Sequence, residues 1–363
     1  MTRVFFALFV SLLFVGCSNE EHGEYYPDIS TRELHYISRS GNIVEFNDDS
    51  FDAPIISNRY EKGVGIVKFA SPLRSIGFLG SSDITSIEIP TTVTKFEDNP
   101  FRNCKNLARF ISKYASSDGY ALIHDGELIA VARNYRGENY TVPYGVKSIG
   151  ANALYGSSIK SISIPNSVVK IGDAAFCGCD NLEELILPER LEELGREVCV
   201  NCSSLKQVSL PRSFTLADDF CGFVGCYNLE AFSGENASAD GKCLIVGKTM
   251  YAFASAGVKE YDIPNSVTHI ADRCFAETML QKITLPATIQ ALGYGAFYNC
   301  TRLSEIYLEP TTPPTITSGV GSADVFGNLP SDYTLYVPSA SYAKYTSDAS
   351  WVRYEGHMQK YNF

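Results

Sequence analysis

A proline that follows an aliphatic residue returns along this chain at Pro90, Pro143, Pro165, Pro188, Pro211, Pro264 and Pro286, and again at Pro310 with the aliphatic residue displaced by one position. The intervals are 53, 22, 23, 23, 53, 22 and 24 residues. Self-similarity at such a spacing marks a repeat array, and it constrains the fold more than composition does. From Ile164 the unit reads IPNSVVKIGDAAFCGCDNLEELILP. LPERLEELGREVCVNCSSLKQVSLP, IPNSVTHIADRCFAETMLQKITLP and LPATIQALGYGAFYNCTRLSEIYLEP share its skeleton, P-x-x-V-x-x-I-G-x-x-A-F-x-x-C-x-x-L-x-x-I-x-L-P.

Each piece has a local physical reading. L-x-x-I-x-L alternates near its end, so Leu185 and Leu187 face one way and Glu184 and Ile186 the other, as in a short strand. Proline ends that strand because it cannot donate to a ladder. V-x-x-I-G is a second short extended piece, with glycine allowing a sharp corner. A-F-x-x-C-x-x-L sets Phe176, Cys179 and Leu182 at three-residue spacing, one face of a short helical turn. No single unit buries this much apolar surface; stacked units do.

The two 53-residue intervals are alike. Each holds D-G-x-x-L-I followed by a turn signal, an apolar-rich stretch and a polar bend. Leu122-Ile123, a turn at His124 to Glu127, and Leu128-Ile129 read as a β-hairpin. The block restarts at Pro211, 121 residues after Pro90. The two cassettes, about 110–142 and 232–263, are expected either to project hairpins from one side of the array or to lengthen its core.

The repeats resemble those of BspA-like leucine-rich repeat surface lipoproteins of Bacteroidetes. The resemblance implies a leucine-rich repeat solenoid of short strands and short helical turns, with an N-terminal β cap and a C-terminal cap. The expected organisation is a signal peptide over 1–16, a tether over 17–27, and an N-terminal β cap with a degenerate first repeat over 28–83. Repeats with the two cassettes follow over 84–309, then a C-terminal cap over 310–363. In that last segment Ser339 is expected to cap a short helix carrying Tyr342 and Tyr345, with Trp351 as a buried plug.

The N-terminus carries its own signal. Arg3 precedes an apolar run from Val4 to Val15, the length of a signal-peptide core and too short to span a bilayer. Gly16-Cys17 then resembles a bacterial lipobox, although Phe14 stands where an aliphatic residue is usual. The resemblance implies acylation of Cys17 and anchoring by several chains, each buried methylene contributing about 0.8 kcal/mol. The following Ser18-Asn19-Glu20-Glu21 resembles a surface-export signal. Export to the cell surface with an outer-membrane lipid anchor is therefore expected.

The chain has eleven cysteines. Cys104, Cys179, Cys202, Cys226 and Cys300 share the C slot of A-F-x-x-C, an inward position where a thiol behaves as a small hydrophobe. Disulfides and a zinc site at Cys199-x-x-Cys202 are the alternatives. No nucleophile–histidine pattern, calcium loop or phosphate loop can be placed, so no enzyme, metal or cofactor is expected. The net charge of −11 argues against a nucleic-acid partner. The candidate binding surface is the column two residues before each strand-ending proline: Glu88, Thr141, Ser163, Ile186, Ser209, Asp262, Thr284 and Tyr307. Stacked strands would align these side chains into one polar face. The expected role is adhesion to an extracellular protein or cell. The alternative is glycan binding beside a nutrient-uptake system, for which Tyr307 alone supplies an aromatic in the column.

Overall fold

The computed structural model describes residues 29–212, 214–217, 219–317 and 324–363. The segment that resembles a lipobox, with Cys17, lies outside the described residues. The array is a β-solenoid whose coils stack through three sets of hydrogen bonds.

The first ladder is built from the I-x-L pieces. It runs through Asn139–Thr141 and Ser161–Ser163, then Glu184–Ile186, Gln207–Ser209 and Ala231–Ser233. It resumes with Glu260–Asp262, Lys282–Leu285, Glu305–Leu308, Thr334–Pro338 and Met358–Tyr361. All these pairs are parallel, as successive coils of one hand require. The expected alternation holds: Leu185 and Leu187 are buried while Glu184 and Ile186 face out.

The second ladder is built from V-x-x-I. Ser148–Ile149, Lys170–Ile171, Glu193–Leu194 and Thr215–Leu216 pair in parallel, as do His269–Ile270, Ala291–Leu292 and Thr315–Ile316 further on. A glycine follows four of these strands, as Gly150, Gly172, Gly195 and Gly293, and it is there for its neighbour. A Cβ on Gly172 would lie 2.6 Å from the Ala151 nitrogen, and one on Gly195 would lie 2.4 Å from the Gly172 carbonyl carbon. Neither glycine has a positive φ. Close approach of the preceding coil sets the requirement, where the sequence reading invoked a tight corner.

The third side is the A-F-x-x-C-x-x-L segment. Its i to i+3 bonds, such as Cys179 N–H to the Phe176 carbonyl and Leu182 N–H to the Cys179 carbonyl, make consecutive turns. The same backbone also bonds along the array. Asn152, Leu154 and Gly156 donate to Asp173, Ala175 and Cys177, and Ala174, Phe176 and Gly178 donate to Arg196, Val198 and Val200, all at 2.8 Å. Several turns carry left-handed residues four positions apart, for example Ala174 at φ 53° with Gly178 at 69°, and Glu197 at 52° with Asn201 at 61°. The sign reversals turn alternate N–H groups outward to the next coil, so the buried backbone is satisfied.

The N-terminal part differs. Glu33–Ser38 pairs antiparallel with Val64–Phe69 on one side and with Ile84–Glu88 on the other. Ile84–Glu88 then pairs in parallel with Arg109–Ile111 and leads into the array. At the other end Tyr345 and Trp351 are fully buried. The Trp351 indole N–H donates to the Pro314 carbonyl at 2.7 Å and the Tyr345 hydroxyl to that of Pro310 at 2.9 Å. Ser339 does not cap the helix Tyr342–Ser347; its hydroxyl donates to the Tyr361 carbonyl and ties the last strand down.

Among the described residues the buried side chains form three cores, spanning Leu34 to Ala132, Ala121 to Ala254, and Cys243 to Met358. Their boundaries fall on the cassettes. Ala121–His124 and Glu127–Val131 form the expected antiparallel hairpin, closed at Asp125-Gly126 with φ 49° and 80°, the left-handed pair of a two-residue turn. This hairpin does not project. Leu122, Ile129 and Ala130 enter the first core, and Ala121, Leu128 and Val131 the second. Cys243–Val246 with Thr249–Phe253 repeats the arrangement: Leu244 and Ala252 face the second core, Cys243, Met250 and Phe253 the third. Each cassette hairpin is a partition with an apolar surface on both faces. Its second strand also starts the next run of the second ladder, through Leu128 opposite Ile149 and Met250 opposite Ile270.

Candidate functional site

The eight column residues do not make one continuous face. Glu88 is drawn into the N-terminal sheet, where its carboxylate lies 3.1 Å from His35 Nδ1, with Glu33 3.2 Å from the other ring nitrogen. Burial disfavours a charged His35, but its bonds to Glu88 and Glu33 outweigh this and raise its pKa. Thr141 and Ser163 are neighbours in register. Ile186 aligns with Ser209 and Ser233, and the two serine hydroxyls are 2.9 Å apart. Asp262, Thr284 and Tyr307 align in a further run that continues to Tyr336. Two of the breaks, before Thr141 and after Ser233, fall where a cassette interrupts the chain; the break between Ser163 and Ile186 lies within the regular array.

The turn side is continuous across both cassettes. The Asn99 side-chain amide donates to the Asn152 carbonyl at 2.7 Å, bridging the first 53-residue interval. Arg133 spans the same junction, donating to the carbonyls of Gly156 and Arg102. At the second junction the Tyr227 hydroxyl donates to the Glu277 carboxylate at 2.9 Å. Beside this side, against the second ladder, runs a long groove. One stretch of about 720 Å³ is lined from Glu127 through Lys170 and Glu193 to Ala217. A second of about 550 Å³ continues from Asp98 through Asp173 and Asp219 to Tyr294.

The groove holds seven carboxylates, those of Asp98, Glu127, Asp173, Glu193, Glu197, Asp219 and Asp272, against Lys170, Arg196 and Arg273. Lys170 pairs with Glu193 and Arg196 with Asp173, each at 2.7 Å. These exposed pairs add little stability, but they hold their side chains in fixed positions. The excess negative charge is felt locally. Burial first, then the Asp98 carboxylate, raises the pKa of Glu127; burial, with a contribution from Asp219, raises that of Asp272. Sequence reasoning passed over this groove because its residues follow I-G in the unit, where a charged residue reads as solvated. A period-23 column at that position, Asp173 with Arg196 and Asp272, was the available signal.

The C-slot cysteines are buried, and their thiols have a partner. Cys179 donates to the Leu154 carbonyl, Cys202 to that of Phe176, Cys226 to that of Cys199 and Cys300 to that of Phe275, at 2.9 to 3.2 Å. Burial pushes Cys104 and Cys300 up to about 11 and raises Cys179 well above the usual thiol value. Cys226 is raised first by its hydrogen bond with Cys202 and then by burial, while hydrogen bonds with Cys199 and Cys226 lower Cys202. The thiols whose pKa is raised are poor nucleophiles. Among the described residues, no group of three or more His, Cys, Asp or Glu side chains could hold a metal ion.

A family model described as the BspA type leucine rich repeat region matches in six copies, over residues 64–118, 133–239 and 249–320. The gap at 119–132 covers the first partition hairpin, and the gap at 240–248 covers the first strand and turn of the second. Among solved structures, a leucine-rich repeat protein from Bacteroides ovatus is 24% identical over 79% of this chain and 77% of its own, with TM-score 0.46. One from Eubacterium ventriosum is 23% identical over 72% of this chain and 63% of its own, with TM-score 0.45, so this chain spans less than two thirds of that protein. A leucine rich cell surface protein from Faecalibacterium prausnitzii is 18% identical over 82% and 84%, with TM-score 0.41. No curated protein matches the chain significantly.

Proposed function

The chain belongs to the BspA type leucine-rich repeat family, and from that premise we propose that it is an exported, lipid-anchored binding protein without catalytic activity. It captures an extracellular protein outside the cell. The observation that carries this reading is the groove, to which successive coils contribute side chains from Asp98 to Tyr294 without interruption at the cassettes. Extended solenoid surfaces of this kind suit macromolecules better than small substrates. Its excess of carboxylates favours a partner with a basic surface and speeds encounter with it.

Anchoring rests on the apolar run ending at Gly16-Cys17. Wild-type protein should fractionate with membranes and take up labelled palmitate, and Cys17→Ala should do neither. Membrane retention of the variant together with an unlabelled wild type would refute the anchor. Capture is tested by presenting the full chain to a panel of purified extracellular-matrix proteins; saturable binding of at least one is expected, and binding of none would refute the role.

A further inference from the structure

At the C-terminal end of the first ladder the outward face changes character. Tyr307 and Tyr336 sit in register on adjacent strands and stack, with ring centroids 4.4 Å apart and planes 15° from parallel. Tyr361 meets both edge-on, at 5.2 and 5.7 Å, and Phe363 packs on Tyr361 at 4.8 Å. Tyr361 and Phe363 nevertheless stay 40% and 52% exposed. Four clustered aromatics on a polar strand face are unlike the rest of this ladder, where serine, threonine and charged residues dominate.

Beside the rings opens a groove of about 510 Å³, the size of a small-ligand site. Part of its polar lining is unpartnered. Among the described residues, the carboxylate of Asp262, the amide of Asn265 and the hydroxyl of Thr284 have no protein partner. The Lys282 ammonium stands 5.1 Å from the Tyr307 ring and 3.7 Å from the Glu260 carboxylate. Glu309 completes the rim and accepts the Ala287 backbone N–H.

The charges select the ligand. A cationic segment would meet Lys282, and an anionic one would meet Asp262 and Glu309. A ligand that is uncharged, rich in hydroxyls and apolar on one face satisfies every group at once. Its C–H face covers an exposed ring, its hydroxyls donate to the carboxylates, and its oxygens accept from Lys282 and Asn265. We propose that this groove is a subsite for a neutral oligosaccharide, with Tyr361 and Phe363 as the stacking platform. The site is separate from the carboxylate groove of the proposed function and stands or falls independently of it.

The test is calorimetric titration of the full chain with neutral hexasaccharides of β-1,4-glucan, α-1,4-glucan, β-1,4-xylan and β-1,4-mannan, alongside acidic oligosaccharides. At least one neutral hexasaccharide is expected to bind. Tyr361→Ala and Asp262→Ala should each weaken its Kd by tenfold or more with unchanged circular dichroism. Asp262 is exposed and unpartnered, so its variant tests the site even if the tyrosine variant unfolds. Binding of none of the neutral probes, preference for the acidic ones, or unchanged affinity in both folded variants would overturn the proposal. Loss of a captured matrix protein in Tyr361→Ala, with no saccharide bound, would also overturn it and assign the patch to protein recognition.

Discussion

Glycine serves two separate purposes in the coils, and substitution distinguishes them. Gly195 has an ordinary φ, but a Cβ there would strike the Gly172 carbonyl carbon at 2.4 Å. Gly178 has room, its Cβ meeting Gly156 Cα at 3.8 Å, but its φ is 69°. Gly195→Ala should therefore cost about 3 kcal/mol or more through displaced backbone, and Gly178→Ala about 1 kcal/mol through torsional strain. Urea denaturation of the two variants should rank them in that order. His35 gives a pH signature. Its folded pKa is raised, so its bonds to Glu33 and Glu88 contribute fully below the unfolded value of about 6.5, and that contribution fades as pH rises through the folded pKa. His35→Gln should lower stability by about 1–2 kcal/mol at pH 5.5 and by less at pH 8.5, as thermal melts at the two pH values would show.

Elements differ in how openly the sequence declares them. The strands and turns of the 23-residue unit were legible because periodicity, proline and the aliphatic alternation all agree. The cassette hairpins were legible as hairpins, from L-I, D-G and L-I, but their placement was not. Ala121 to Val131 is apolar on both faces, which fits a strand pair buried on both sides, yet a local pattern does not say that two different cores supply the burial. Leu122→Ala and Leu128→Ala should each cost about 2–5 kcal/mol. The first should loosen amide-exchange protection in the Leu34 to Ala132 core, the second in the Ala121 to Ala254 core. A single shared response would argue against a partition. Trp351 is buried against Tyr345 and Tyr354, and Trp351→Ala should cost about 3–5 kcal/mol and expose the third core to exchange first.

Over the whole molecule, the candidate binding surface moved. Reading down the strands picked Glu88 to Tyr307 as one column, but it falls into separate runs, two of the breaks at the partitions, and His35 occupies Glu88. The turn side, whose bridging residues lie 53 positions apart in sequence at the first cassette and 50 at the second, is the side that stays unbroken in space. Interval arithmetic hid this, because a long gap in sequence reads as a gap in structure. The aromatic cluster at the end of the array was hidden for a related reason: Tyr336 and Tyr361 belong to strands outside the repeat pattern that only stacking brings beside Tyr307. The central claim is that a basic protein partner is captured by the carboxylate groove. The direct measurement is surface plasmon resonance of a captured matrix protein against wild-type chain and the triple variant Asp98→Asn, Glu197→Gln, Asp219→Asn. These side chains are exposed or partly exposed in the groove, and Asn suits the left-handed φ of 55° at residue 219. The account predicts a Kd weakened tenfold or more and a shallower salt dependence. Unchanged capture by the folded triple variant, or capture abolished instead by altering Thr141, Ser163 and Ser209, would contradict it.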